Sequence, residues 1–144
     1  MKLNKLSKLI KFKDILDAYD SQFHLIIQHE KLSEEFIDEF FYQLKPYNLE
    51  IFQKLTPYLI EKYNEALNWL SLSAYQELPE YIIEKYFNKV NWRFISWCQS
   101  LSEKFIYKWQ NYIVYDNLMN NPNISDTVKR NVKKYFRKKN NECK

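Results

Sequence analysis

The 144-residue chain contains no glycine. Glycine supplies positive φ and lets backbone approach a ligand closely. Its absence excludes the Gly-rich dinucleotide turn, the P-loop, the G-x-S-x-G nucleophile elbow and the EF-hand loop. Two-residue hairpins also lean on it, which argues against a meander of short strands. Cysteine is scarce: Cys98 and Cys143 are too far apart in sequence for a disulfide framework or a metal pair. No uncharged apolar run approaches the roughly 20 residues of a membrane span. The opening MKLNKLSKLIKFK is basic but lacks the continuous apolar core of a signal peptide. The expectation is a protein without integral membrane association, working in a reducing, cytoplasmic compartment.

Aromatic residues, by contrast, make up 18% of the chain and hydrophobic residues 46%, which excludes wholesale disorder and suffices for one domain. Lysine outnumbers arginine 19 to 3, and asparagine and isoleucine are abundant while alanine and valine are rare. These are the products of A/T-rich codons and point to an A/T-rich genome. The net charge of +4 conceals segregation. Residues 1–13 carry +5, residues 129–144 carry +7, and the stretch between carries −8. Basic ends flank an acidic middle.

The middle is a repeat with a period of 23 residues. From Leu32 the segments LSEEFIDEFFYQLKPYNLEIFQK, LTPYLIEKYNEALNWLSLSAYQE, LPEYIIEKYFNKVNWRFISWCQS and LSEKFIYKWQNYIVYDNLMNNPN align without gaps. Residues 15–31 read as a repeat shortened by about two residues, and residues 124–136 open like a further one. A short fixed period signals a solenoid whose units bury their faces by stacking on neighbours.

Each unit predicts two short helices. With Ser33 or Ser102 as N-cap, the preceding Leu stands at N′ and the Ile of the apolar pair at N4, the hydrophobic staple. Pro57 and Pro79 stand where a first turn tolerates proline. An aromatic at position nine (Phe40, Tyr63, Tyr86, Trp109) falls one turn after position five, on one face. The second helix begins near Asn68-Trp69 and Asn91-Trp92, with Asn as cap, and spans about nine residues ending near Tyr75 or Cys98. Such helices depend on packing.

Residues 78–106, LPEYIIEKYFNKVNWRFISWCQSLSEKFI, resemble a short tandem repeat met in proteins of phages, large DNA viruses and mobile elements. The shared pattern is Leu-Ser-Glu, a Phe-Ile pair, an aromatic, then Val-Asn-Trp, Ile-Ser and Gln, and it covers roughly residues 32–123. The first unit departs from it with Lys45-Pro46 in place of Asn-Trp. The fourth departs with Val114-Tyr115 and without the Gln. The resemblance implies an α-helical repeat scaffold and a viral or phage setting, and it carries no catalytic residues. Small phage proteins of this size include inhibitors of bacterial defence, among them anti-CRISPR proteins.

No catalytic constellation emerges, and no cofactor or metal is expected. His24 and His29, the two histidines, diverge by roughly 140° on a helix and do not share a metal. Cys98 stands at a repeat position held by Phe52 and Tyr75 and reads as a small core residue. The acid pairs Glu34-Glu35 and Asp38-Glu39 read as a solvated outer face. Collectively, the acidic middle suits a basic partner surface and fast steered association.

The basic C-terminal stretch is more specific. Lys129, Arg130, Lys133, Lys134, Arg137 and Lys138 share one helix face, with Val128, Val132, Tyr135 and Phe136 on another. A phosphate-contacting helix has this form, and so does a polar cap of a solenoid. Lys2, Lys5 and Lys8, with Leu3, Leu6 and Leu9, make a second basic amphipathic element. Trp69, Trp92 and Trp109 occupy repeat positions and read as core. Trp97 replaces Ala74, so the repeat does not require an aromatic there. With Arg93 one turn earlier, it makes an exposed protein-binding anchor.

The sequence thus predicts an all-α solenoid of about five helix–turn–helix units in one domain. Residues 1–14 form a basic N-terminal cap, 15–123 the repeats, 124–139 a basic C-terminal helix and 140–144 a tail. The expected function is non-enzymatic. The protein binds a host protein or nucleoprotein complex, as a phage or mobile-element inhibitor acting by occlusion. Direct RNA or DNA binding through the basic helix is the alternative, and a metal-dependent nuclease the third reading. Oligomeric state is left open.

Overall fold

A computed structural model describes residues 27–142, with side chains described to residue 139. The N-terminal cap with Lys2, Lys5 and Lys8, the start of the shortened repeat, His24 and Cys143 lie outside the described residues. The described residues are all-helical, without strands. The helices are α1 (Glu34–Phe40), α2 (Pro46–Phe52), α3 (Pro57–Lys62), α4 (Trp69–Tyr75), α5 (Glu80–Lys85), α6 (Trp92–Cys98), α7 (Glu103–Lys108), α8 (Tyr115–Asn120) and α9 (Asp126–Glu142). Two helices per 23-residue unit is the helical-repeat architecture that the sequence predicts. The paired helices are six or seven residues long, shorter than the expected nine in the second row. Helices this short have too few internal hydrogen bonds to stand alone.

Caps set their starts. Ser33, Thr56 and Ser102 each accept the N–H of the residue three further on. Asn68 and Asn91 each accept two N–H groups at the head of α4 and α6. Pro57 opens α3, while Pro79 is itself the N-cap of α5. Lys45 and Val114, which replace the Asn cap, offer no side-chain bond. Lys45 instead adopts φ 56°, the one positive φ among the described residues. Helix α8 nevertheless forms behind Val114, because its backbone enters at the same dihedrals as α4 and α6.

Contacts divide the chain after Leu67 into two compact units. In both, the core repeats with the sequence. Ile37, Ile60, Ile83 and Ile106 share one register position and are almost fully buried, as are Leu49, Leu72, Ile95 and Leu118 at another. Each such side chain contributes about 1.5–3 kcal/mol of transfer free energy. In the second unit α6 packs against both α4 and α8, and α9 packs on α7.

Within each compact unit, buried polar side chains tie successive 23-residue repeats together. In the first unit Gln53 accepts the Leu32 N–H at 3.0 Å and donates to the carbonyls of Ile27 and Glu30. In the second, Gln99 accepts the Leu78 N–H at 3.0 Å and donates to the carbonyls of Ser73 and Gln76. The fourth repeat lacks this Gln but keeps the donor half of its role. Asn121, one position earlier and one methylene shorter, donates to the carbonyls of Ser96 and Gln99. Ser73 and Ser96 add a second ladder. Each donates to the carbonyl four residues back and accepts an N–H from the next unit, of Asn91 and Val114 respectively.

The acidic face is less purely solvated than expected. Asp38 accepts from Lys62 Nζ at 2.6 Å and from the Tyr63 hydroxyl at 2.8 Å, one repeat later. Glu84 accepts from Lys108 Nζ at 2.8 Å and from the Trp109 indole N–H at 3.2 Å. The pattern is an acid at position seven with Lys and an aromatic donor at eight and nine of the following unit. Lys62 and then Tyr63 hold the Asp38 carboxyl below its ordinary range, as Lys108 and then Trp109 do for Glu84. Burial, and then the Asp38 carboxylate, push the Tyr63 phenol up.

Candidate nucleic-acid interface

Helix α9 is the longest described helix, at 17 residues. Its first turn is bonded by Ser125, whose Oγ accepts the Val128 N–H, and Asp126 faces the positive helix start. Val132 is wholly buried, with Val128 and Phe136 half-buried beside it along the same seam. Tyr135 packs against Tyr107 with the rings tilted and 4.5 Å apart, and Phe136 meets Tyr115 edge-on at 5.6 Å. Glu103 clasps the helix from α7, accepting from Asn131 Nδ2 at 3.0 Å and from the Tyr107 hydroxyl at 2.7 Å. The Asn131 amide, followed by Tyr107, lowers the Glu103 carboxyl; burial, followed by Glu103, pushes the Tyr107 phenol up to about 12. Lys139 reaches Gln110 Oε1 at 2.6 Å.

This docking sets the orientation of the cations. Arg130, Lys133, Lys134, Arg137 and Lys138 are exposed and Lys129 is half-buried. At 100° per residue these six cover about half of the helix circumference, opposite the Val132 seam. Among the described residues no carboxylate pairs with Lys133, Lys134 or Arg137. Three cations over two successive turns, with their charge uncompensated, can contact consecutive phosphates.

The protein-binding residues expected from the sequence, Arg93 and Trp97, lie together on α6. Trp97 is 52% exposed and Phe94 lies nearly parallel to it, with ring centres 6.2 Å apart. They border an open cleft of about 490 Å³ completed by Asn91, Asn117 and Asn120. Sequence reasoning missed the three asparagines. The signal was available in the register: Asn117 and Asn120 occupy the positions of Phe94 and Trp97 one repeat later, so stacked units bring them alongside.

Other residues fall differently from expectation. Cys98 is half-buried at the surface side of α6, a position where Phe52 and Tyr75 are exposed. Its thiol donates to the Phe94 carbonyl at 3.1 Å, and burial pushes its pKa up. Trp69 is buried, whereas Trp92 and Trp109 are half-buried and stack on each other at 5.3 Å. His29 is exposed. Among the described residues no three His, Cys, Asp or Glu side chains converge as a metal site, and no helix is long and apolar enough to cross a membrane.

Compared with known proteins, the chain matches no protein family, no curated protein and no solved structure.

Proposed function

We propose that the protein is a non-enzymatic binding scaffold that contacts RNA or DNA through α9 and thereby occludes a nucleoprotein. The carrying observation is the arc of Lys133, Lys134 and Arg137 on a helix held in place by Val132, Glu103 and Tyr107. A flexible basic tail would need ordering on binding. A docked helix presents its charges already spaced, so less conformational entropy is lost. The acidic repeats favour the same division of labour. They repel phosphates and so hold a nucleic-acid backbone to the basic end, while their acidic side chains suit a basic protein surface. With the phage or mobile-element setting that the repeat implies, the reading is of an inhibitor of a host defence complex, of the anti-CRISPR kind.

The test is a mobility shift with single-stranded RNA and duplex DNA at low salt. The chain is expected to retain one of them, and Lys133→Ala, Lys134→Ala, Arg137→Ala and Lys138→Ala together to abolish retention. An unshifted nucleic acid with the native chain sinks the reading. For occlusion, a host nucleoprotein captured by the chain should be lost after nuclease treatment or in the same variant.

A further inference from the structure

The cleft beside α6 has a hydrogen-bonding character that a protein anchor does not explain. Asn117 Nδ2 donates to the Arg93 carbonyl at 3.0 Å, and Asn120 Nδ2 donates to the Asp116 carbonyl at 2.9 Å. Those bonds fix both carboxamides with Oδ1 as the remaining acceptor. Asn91 is oriented the other way: its Oδ1 is taken by the Arg93 and Phe94 N–H groups, which leaves Nδ2 as a donor. The Arg93 guanidinium and the Trp97 indole N–H have no partner among the described residues. The cleft therefore offers two fixed acceptors, several donors, one positive charge and a half-exposed indole face.

We infer that this cleft receives an unstacked nucleobase whose Watson–Crick edge sets an exocyclic amine beside an unprotonated ring nitrogen, adenine or cytosine, from the strand whose phosphates contact α9. A carboxylate would satisfy Arg93 but would meet the two carboxamide oxygens as a like partial charge. An adenine or cytosine amine donates to those oxygens, its ring nitrogen accepts from Asn91 or Arg93, and its π-face stacks on Trp97. Uracil, with a carbonyl in place of the amine, offers only its ring N–H and satisfies at most one of the two acceptors. Aromatic platforms combined with cationic side chains are the usual construction for single strands. The inference rests on the nucleic-acid reading of α9 and adds a base preference to it.

The test uses the full chain with short single-stranded oligoadenylate, oligocytidylate and oligouridylate, read by anisotropy. Tryptophan quenching by adenosine monophosphate is measured separately. Oligoadenylate and oligocytidylate are expected to bind roughly tenfold tighter than oligouridylate, from one well-made base contact. Trp97→Ala should lower oligoadenylate affinity roughly tenfold, Trp97→Phe should restore most of it, and Asn117→Leu should erase the base preference. Quenching by the nucleotide should persist in the Lys133→Ala, Lys134→Ala, Arg137→Ala variant and vanish in Trp97→Phe. If Trp97→Ala binds all three strands as the native chain does while the α9 variant binds none, the cleft inference is overturned and the α9 reading stands. If the native chain binds no strand but the nucleotide still quenches Trp97, the α9 reading fails and the cleft remains a base site. Loss of affinity for a protein or acidic peptide alone on Trp97→Ala, with strand binding unchanged, assigns the cleft to protein and overturns the inference.

Discussion

Single side chains stabilise this fold through buried polar bonds as well as through apolar contact. Gln99 is buried and satisfies the N–H that opens its own repeat and two carbonyls of the preceding one. Gln99→Leu keeps the volume and leaves those groups without the amide. The expected cost is about 2–4 kcal/mol, measured by urea unfolding, because each orphaned buried group loses about 1–3 kcal/mol and relaxation recovers part of it. A loss under about 0.5 kcal/mol would show that water replaces the amide. The inter-unit clamps predict a pH dependence. Asp38, Glu84 and Glu103 all have folded pKa values below their ordinary 3.8 and 4.5. A depressed carboxyl stabilises the fold above its unfolded pKa, and that contribution fades as pH falls through the folded value. The urea midpoint should therefore drop as pH falls from about 5 towards 3. Asp38→Asn should be weaker than the native chain at neutral pH, and the gap should close in acid. A gap that does not narrow at all as pH falls from about 5 towards 3 would mean that Asp38 acts by packing and not by charge.

Short helices make their ends decisive at the next scale. Helix α8 lacks the side-chain cap that Asn68 and Asn91 give α4 and α6, although all three enter with nearly the same φ and ψ. Val114→Asn should thus add two hydrogen bonds without moving backbone, and Val114 is already 38% exposed. The expected gain is about 0.5–1.5 kcal/mol in thermal or chemical unfolding. A loss instead would show that the Val114 side chain packs more than it leaves open. The paired helices were legible in the sequence because Leu, the N-cap hydroxyl and the buried Ile recur every 23 residues. Their length was overestimated because the nine residues included the caps, Asn68 and Gln76 or Asn91 and Gln99, that flank seven helical ones. The acid–Lys–aromatic clamp was misread as a solvated face for a related reason. Its partners stand 24 or 25 residues apart, and only stacked units make that separation a contact. Asn121 hid because a shorter side chain one residue early performs the role of Gln at a different register position.

Across the whole molecule, charge is partitioned by segment: −8 through the repeats and +7 after residue 128. The basic helix was legible as a pattern of cations and apolar residues. That its apolar stripe docks on α7, and so fixes which cations face outward, was not. Burial of Val132 is the step that converts composition into a directed surface. This partition makes binding sensitive to ionic strength in a countable way. Each phosphate contacted on a single strand changes log K by about −0.7 per decade of salt. Contacts from Lys133, Lys134, Arg137 and one further cation predict a slope of roughly −3. Neutralising the first three should leave a slope near −1, whatever the base sequence. Val132→Asp is the complementary variant, since it keeps every cation and breaks the seam that orients them. It should weaken binding while hydrogen exchange accelerates through α9 and leaves α4 and α6 protected. Equal affinity for the native chain and Val132→Asp would show that the cations act as a flexible charged tail, and that the docked geometry of α9 contributes nothing to binding.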